Sequence, residues 1–179
     1  MEPRQIRALL DTLTLDDPHQ RDLCAAMVAL CARPGCLSRA TTTPGHFTAS
    51  AFVLSPDGAH LALIRHPKLG LWLQPGGHLE PEDADPESAA RREVAEELGL
   101  GELRPLGLVD LDIHDIPARP TEPAHQHFDL RFGFVSSSNR LDGEHEAQWV
   151  ALTALDGVQT DASVRRGAAR LSGRLARGR

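Results

Sequence analysis

The sequence predicts an α+β protein with a mixed or antiparallel sheet, and three observations carry that prediction. Apolar residues recur at helical spacing near both ends and in one central segment. Alternating or short apolar runs of strand character fill the stretches between them. Strictly repeating strand–helix units, the mark of a parallel sheet, are missing. At 179 residues, 41% apolar and 25% charged, the chain suits one globular core with an appended element rather than a disordered or fibrous protein.

Taken in order, Ile6, Leu9, Leu10 and Leu13 repeat at helical spacing, and Asp17 before Pro18 supplies an N-cap and a first-turn proline for a second helix. A loop around residues 34–45 separates these helices from "HFTASAFVLSPDGAHLALIRH", where Ser55-Pro56-Asp57-Gly58 between two apolar runs predicts a hairpin. The first division of the chain is thus a helical extension over 1–45 followed by a main domain over 46–179. Asp85, Pro86 and Glu87 start a central helix and Gly99 ends it. Residues 106–116 and the stretch from His127 through Phe134 alternate as half-buried strands, "AQWVALTAL" reads as the last strand, and "DASVRRGAARLSGRLA" as a terminal amphipathic helix.

Composition excludes several classes. The longest apolar run, residues 24–32, is too short for a membrane span, and the first ten residues lack a signal-peptide layout, so a cytoplasmic location is expected. A net charge of −6 argues against general nucleic-acid binding, with an arginine-rich tail (Arg165, Arg166, Arg170, Arg174, Arg177, Arg179) as a local exception. Cys24, Cys31 and Cys36 are odd in number and form no CxxC pair, which points to reduced, partly buried thiols.

The segment "QPGGHLEPEDADPESAARREVAEELGL" holds eight acidic residues. On its helix Ala90, Val94 and Leu98 recur every four residues toward a core, while Glu93, Glu96 and Glu97 at i, i+3 and i+4 converge on another face. Like charges so spaced repel. An acidic solvated face tempered by Arg91 and Arg92 would tolerate this, and so would a hard divalent cation bound by oxygens alone.

Two glycines just upstream bear on that choice, because the whole pattern resembles the signature of the Nudix hydrolases: Gly, five residues, Glu, seven residues, then Arg-Glu-apolar-x-Glu-Glu-x-Gly-apolar. "REVAEELGL" (92–100) matches the second half at every position and Gly77 the first glycine. Between them the pattern departs: Asp83 stands six positions after Gly77, and eight residues separate it from Arg92, so one residue is inserted before the helix. The acid filling that position is ambiguous among Glu82, Asp83 and Asp85, and the role is carried to Asp83. The resemblance covers about residues 46–160 and implies an α/β/α sandwich with a mixed sheet behind the N-terminal helices. It implies Glu93, Glu96 and Glu97, with the Gly76 carbonyl, as ligands of Mg2+, Mn2+ being an alternative, and Arg92 as the residue orienting Glu93. It implies a water attacking a diphosphate linkage in a nucleoside diphosphate joined to another group, with Glu144 or Glu146 among the candidates for the base.

A second polar group lies in "DIHDIPAR…EPAHQHFDLRF". His125, His127 and Asp129 share one strand face with Arg131 beyond them, and Asp112 and His114 share a face of the strand before. Three readings stay open for it: a substrate pocket, a structural polar network, or a site for a softer metal such as zinc. As substrate contacts we expect His78, Arg119, His125, His127, Asp129 and Arg131, the arginines being suited to bidentate phosphate recognition. The competing function is a catalytically silent nucleotide-binding or regulatory protein of the same fold. An isoprenoid-diphosphate isomerase would want a cysteine at the pocket, and all three cysteines precede residue 40. The N-terminal helices leave a homodimer open.

Overall fold

The computed structural model describes residues 1–177; Arg179 and the side chain of Arg177, both in the arginine-rich tail, lie outside the described residues. Two helices, Pro3–Asp11 (α1) and Pro18–Leu30 (α2), precede four strands, Gly45–Leu54 (β1), His60–Arg65 (β2), Trp72–Leu73 (β3) and Gly76–His78 (β4). Helix Pro86–Leu98 (α3) is followed by strands Leu103–Ile116 (β5), His125–Ser136 (β6) and Ala147–Ala151 (β7), a 3-10 helix Leu152–Gly157, and helix Ala162–Arg177 (α4). The result is α+β, with the strands hydrogen-bonded in the order β3-β2-β1-β6-β5, β4 on β1 and β7 on β2.

The helix ends form for the reasons read in the sequence. The Asp17 carboxylate accepts the His19 N–H at 2.9 Å. At α3, the Asp85 carboxylate accepts the Ser88 N–H at 2.7 Å and the Ser88 hydroxyl accepts the Asp85 N–H at 3.0 Å, a reciprocal cap over two orphan donors. Gly99 closes that helix in the left-handed region (φ 73°), its N–H on the Ala95 carbonyl. The Ser55–Gly58 turn joins β1 to β2, with Leu54 opposite Leu61.

One element ends earlier than its sequence suggests. β7 pairs antiparallel with β2 from Ile64↔Ala147 to His60↔Ala151, and there β2 begins. Beyond Ala151 the chain has no strand to pair with, so Leu152–Gly157 coils into a 3-10 turn that still buries Leu155.

Contacts divide the chain into two compact units. The first comprises Met1–Ala49, Gly77–Ala89 and Leu111–Leu130. It buries Ile6, Leu10, Met27, Leu30, Phe47 and Phe128, the last two edge to face at 6.2 Å. The buried Gln20 side chain of α2 holds both polar groups of Leu111, donating to its carbonyl and accepting its N–H at 2.9 Å each. The thiols of Cys24, Cys31 and Cys36 are free, and burial raises all three, Cys31 to about 11, which leaves them unreactive.

The second unit comprises Ser50–Gly76, Ala90–Asp110 and the chain from Arg131 onward. Its core is Phe52, Leu54, Leu61, Leu63, Val150, Leu155, Val164, Ala168 and Leu171. Beside it the fully buried Asp110 carboxylate meets Arg166 and Arg170 at 3.1 Å each and the buried Arg131 at 3.6 Å. One carboxylate thus answers several guanidiniums, and losing it removes a fully buried counter-charge from among them. Asp110→Asn is expected to lower stability by about 3–5 kcal/mol, read as a fall in the urea midpoint without a change in slope.

Candidate active site

Helix α3 positions its carboxylates by its spacing. Ala90, Val94 and Leu98 are fully buried, which turns Glu93, Glu96 and Glu97 to a common, partly exposed face. Within the second unit the Arg92 guanidinium donates to Glu93 at 2.8 Å and reaches Glu96 at 3.4 Å. The Gly76 N–H donates to the Glu97 carboxylate at 2.9 Å, so the glycine that ends the β3–β4 connection sits directly against this acidic face.

The loop after β6 completes the group. The N–H groups of Asp142 and Glu144 donate to the carbonyls of Leu98 and Glu96 at 3.2 and 2.9 Å, filling acceptors that the end of α3 leaves without an intrahelical partner. Gly143 permits that approach: a Cβ there would lie 2.3 Å from the Glu97 backbone. The loop thereby brings Glu144 to the carboxylate face and sets the His145 ring 3.3 Å from the Glu97 carboxylate. Glu146, two residues on, instead faces Arg65 at 3.7 Å.

The electrostatics follow from this crowding. Burial pushes the Glu97 carboxyl up to about 7; the Gly76 N–H draws it down, and the charges of Glu93, Glu96 and Glu144 push it up again. Glu93, Glu96 and Glu144 thus gather negative charge around the Glu97 carboxyl, and the four oxygen-donor side chains form a set with room for a positive charge. Their hardness suits a divalent cation of the Mg2+ or Mn2+ type.

The first unit holds a different group. His46 on β1, His78 on β4, His114 on β5, and His125 and His127 on β6 form one cluster of rings, with centroids 4.9–5.4 Å apart from His46 to His127 and from His127 to His114. Burial lowers His46, takes His78 down to about 4 and, with repulsion from His114 and the other rings, takes His127 to about 2. Nδ1 of His46 lies 2.8 Å from the Thr41 carbonyl and Nδ1 of His125 lies 2.9 Å from the Pro123 carbonyl. A carbonyl only accepts, so both rings carry their proton on Nδ1. Asp112 holds His114 at 3.0 Å, and Thr48 donates to Asp129 at 3.1 Å.

Of the residues expected to contact substrate, the structure brings His78, His125 and His127 together and buries Asp129 beside Thr48. Arg131 lies in the second unit against Asp110, and Arg119 is exposed in a turn whose backbone pairs with Glu122. Asp83 is buried and accepts the Glu80 N–H at 2.8 Å, Asp85 caps α3, and Glu82 is exposed. Two site residues escaped sequence reasoning. His46 had a signal, the alternation His46, Thr48, Ser50 of polar groups along an otherwise apolar strand. His145 had none, because nothing local tells that its loop docks on α3.

The fold and this acidic helix face have counterparts among known proteins. The NUDIX domain pattern matches residues 44–170, and the chain belongs to the Nudix family. A curated relative from Lactococcus lactis, a probable DHNTP pyrophosphohydrolase, is 39% identical over 87 residues, which are 48% of this chain and 51% of that one. The chain thus spans about half the length of that relative. Among solved structures, a NUDIX-family hydrolase from Clostridium perfringens shares the fold at 23% identity and TM-score 0.56, over 71% of this chain and 96% of the other. The NUDIX domain of Shewanella oneidensis NrtR, solved with ADP ribose, does so at 17% identity and TM-score 0.55, over 72% and 87%. No described helix is long and apolar enough to cross a membrane.

The Glu97 carboxyl binds its proton more tightly in the folded chain, near 7, than at its ordinary 4.5. Its contribution to stability is therefore fully present below pH 4.5 and lost as pH rises through about 7. In cation-free protein, denaturant midpoints should fall across that window for the wild type, and Glu97→Gln should flatten the slope.

Proposed function

We propose that the chain is a divalent-cation-dependent pyrophosphohydrolase that cleaves a diphosphate linkage in a nucleoside diphosphate joined to another moiety, with Mg2+ as cofactor and Mn2+ as substitute. The observation that carries this reading is the convergence of Glu93, Glu96, Glu97 and Glu144, with Glu97 held near 7 by burial and its neighbours. A fold that served only binding would have no need to keep such mutually repelling groups together.

On this reading Glu93, Glu96 and Glu97, with the Gly76 carbonyl, hold the cation, and Arg92 fixes Glu93. When bound, the cation neutralises phosphate oxygens and lowers the pKa of a coordinated water. The protein's own part is positioning and proton handling. Of the two candidates for the base, Glu144 is favoured over Glu146, because its charge is felt at Glu97 whereas Glu146 pairs with Arg65. His145, 3.3 Å from Glu97, can orient that carboxylate or relay its proton. For substrate contact we keep His78, Arg119, His125, His127 and Asp129 of the first unit, Arg119 being an exposed guanidinium, whereas Arg131, buried against Asp110 in the second unit, serves the ion network there. The same reading takes residues 1–45 as a helical extension before a Nudix hydrolase domain over 46–179, in a cytoplasmic protein.

The test is a substrate panel: ADP-ribose, nucleoside diphosphate sugars, dinucleoside polyphosphates, oxidised nucleoside triphosphates and dihydroneopterin triphosphate, with Mg2+ and products identified by mass spectrometry. At least one member should be cleaved at a phosphoanhydride. Chelation should abolish turnover and Mg2+ restore it. Glu97→Gln should cost on the order of 100-fold or more in kcat, the cation's several kcal/mol of charge stabilisation being weakened. Binding of a panel member without turnover under Mg2+ or Mn2+ would leave the silent, regulatory reading in its place.

A further inference from the structure

The histidine cluster of the first unit has a feature that a polar network does not account for. The Nε2 atoms of His46 and His125 are buried and make no hydrogen bond. Each ring is already oriented through Nδ1 by a backbone carbonyl, Thr41 for one and Pro123 for the other. Each Nε2 therefore keeps an unused lone pair, and burying an acceptor without a partner is costly. Two such acceptors face one another's neighbourhood, since one ring nitrogen each from His46, His125 and His127 lies within 4.8 Å of the other two.

We propose that His46, His125 and His127 bind a divalent transition-metal ion of the zinc type, through Nε2 of His46 and His125 and a ring nitrogen of His127, with a further position open to water or an anionic oxygen. The site is distinct in chemistry from the α3 carboxylates: imidazole nitrogen suits zinc and its neighbours in the first transition row, whereas Mg2+ takes oxygen. A carbonyl accepting the Nδ1 proton of a ligating histidine is the outer partner that metal sites use to fix tautomer and ring orientation. The ligands stand on regular strands, His125 and His127 two apart on one face of β6 and His46 on β1, just after Pro44, whose carbonyl accepts the Gln126 N–H at 2.9 Å. The Glu122 carboxylate, 3.7 Å from His125 Nε2, supplies negative charge nearby. His78 and His114 flank His127 at 5.2 and 5.4 Å between ring centroids. Nitrogens 2.0–2.1 Å from a tetrahedral ion lie about 3.4 Å apart, so the three rings draw inward on loading.

The experiment uses the full chain, stripped with chelator and then loaded with Zn2+ or Co2+ alone. Wild type should retain one zinc per chain through gel filtration, by elemental analysis, and so should Glu93→Gln combined with Glu97→Gln. His46→Asn and His125→Asn, checked for folding by circular dichroism, should each bind zinc at least about 100-fold more weakly, the upper end of what loss of even an outer partner costs. Co2+ should give visible d–d bands without a thiolate charge-transfer band. If the histidine variants do not fold, X-ray absorption on zinc-loaded wild type decides: imidazole nitrogens at about 2.0–2.1 Å support the site, and an oxygen-only or sulfur shell overturns it. Zinc retained undiminished by folded histidine variants, lost with the carboxylate pair, or not bound by wild type would equally overturn it.

Discussion

Repulsion among carboxylates on one helix face is the constraint around which the second unit is built. A helix places i, i+3 and i+4 side chains side by side whether or not their charges agree. Here Glu93, Glu96 and Glu97 stand together and the loop after β6 adds Glu144. Arg92 is the compensation on the helix itself, and it is engaged by Glu93 and Glu96. What holds the arrangement is backbone: the Asp142 and Glu144 amides on the last carbonyls of α3, the close pass of Gly143, and the Gly76 N–H on Glu97. Neutral peptide groups can fix a carboxylate without cancelling its charge, which leaves the face electrostatically unfinished in the manner a cation requires.

The two units deal with buried polarity in different ways. In the second, charge is answered by charge: Asp110, itself cut off from water, gathers the buried Arg131 and the partly exposed Arg166 and Arg170. In the first, burial suppresses charge, and the rings of His78 and His127 are held neutral at physiological pH. Neutral imidazoles can crowd to ring distances near 5 Å without the repulsion that imidazolium ions would suffer. The same burial leaves lone pairs without partners. Hard oxygens in one unit and soft nitrogens in the other would therefore select different ions.

Much of this was legible along the chain, because it depends on neighbours in sequence. Asp17 and Asp85 as caps, Gly99 as a stop, and Ala90, Val94 and Leu98 as the inward face all follow from one or two turns of helix. So does the acidic face, and with it the family. Contacts made across long stretches were not legible. His46 meets His125 and His127 about eighty residues away, and strand period alone cannot say which strands pair. Likewise the end of β7 is set by where β2 begins, and the docking of Glu144 and His145 by acceptors at the far end of α3.

The claim on which the account turns is that the α3 carboxylates take up a divalent cation, and uptake can be watched without knowing the substrate. Titration of the full chain with Mn2+, followed by loss of the free-ion signal in electron paramagnetic resonance, should reveal a site that Mg2+ competes for and that Glu93→Gln and Glu97→Gln each weaken. Unchanged Mn2+ uptake in both variants, or none by the wild type, would contradict the account.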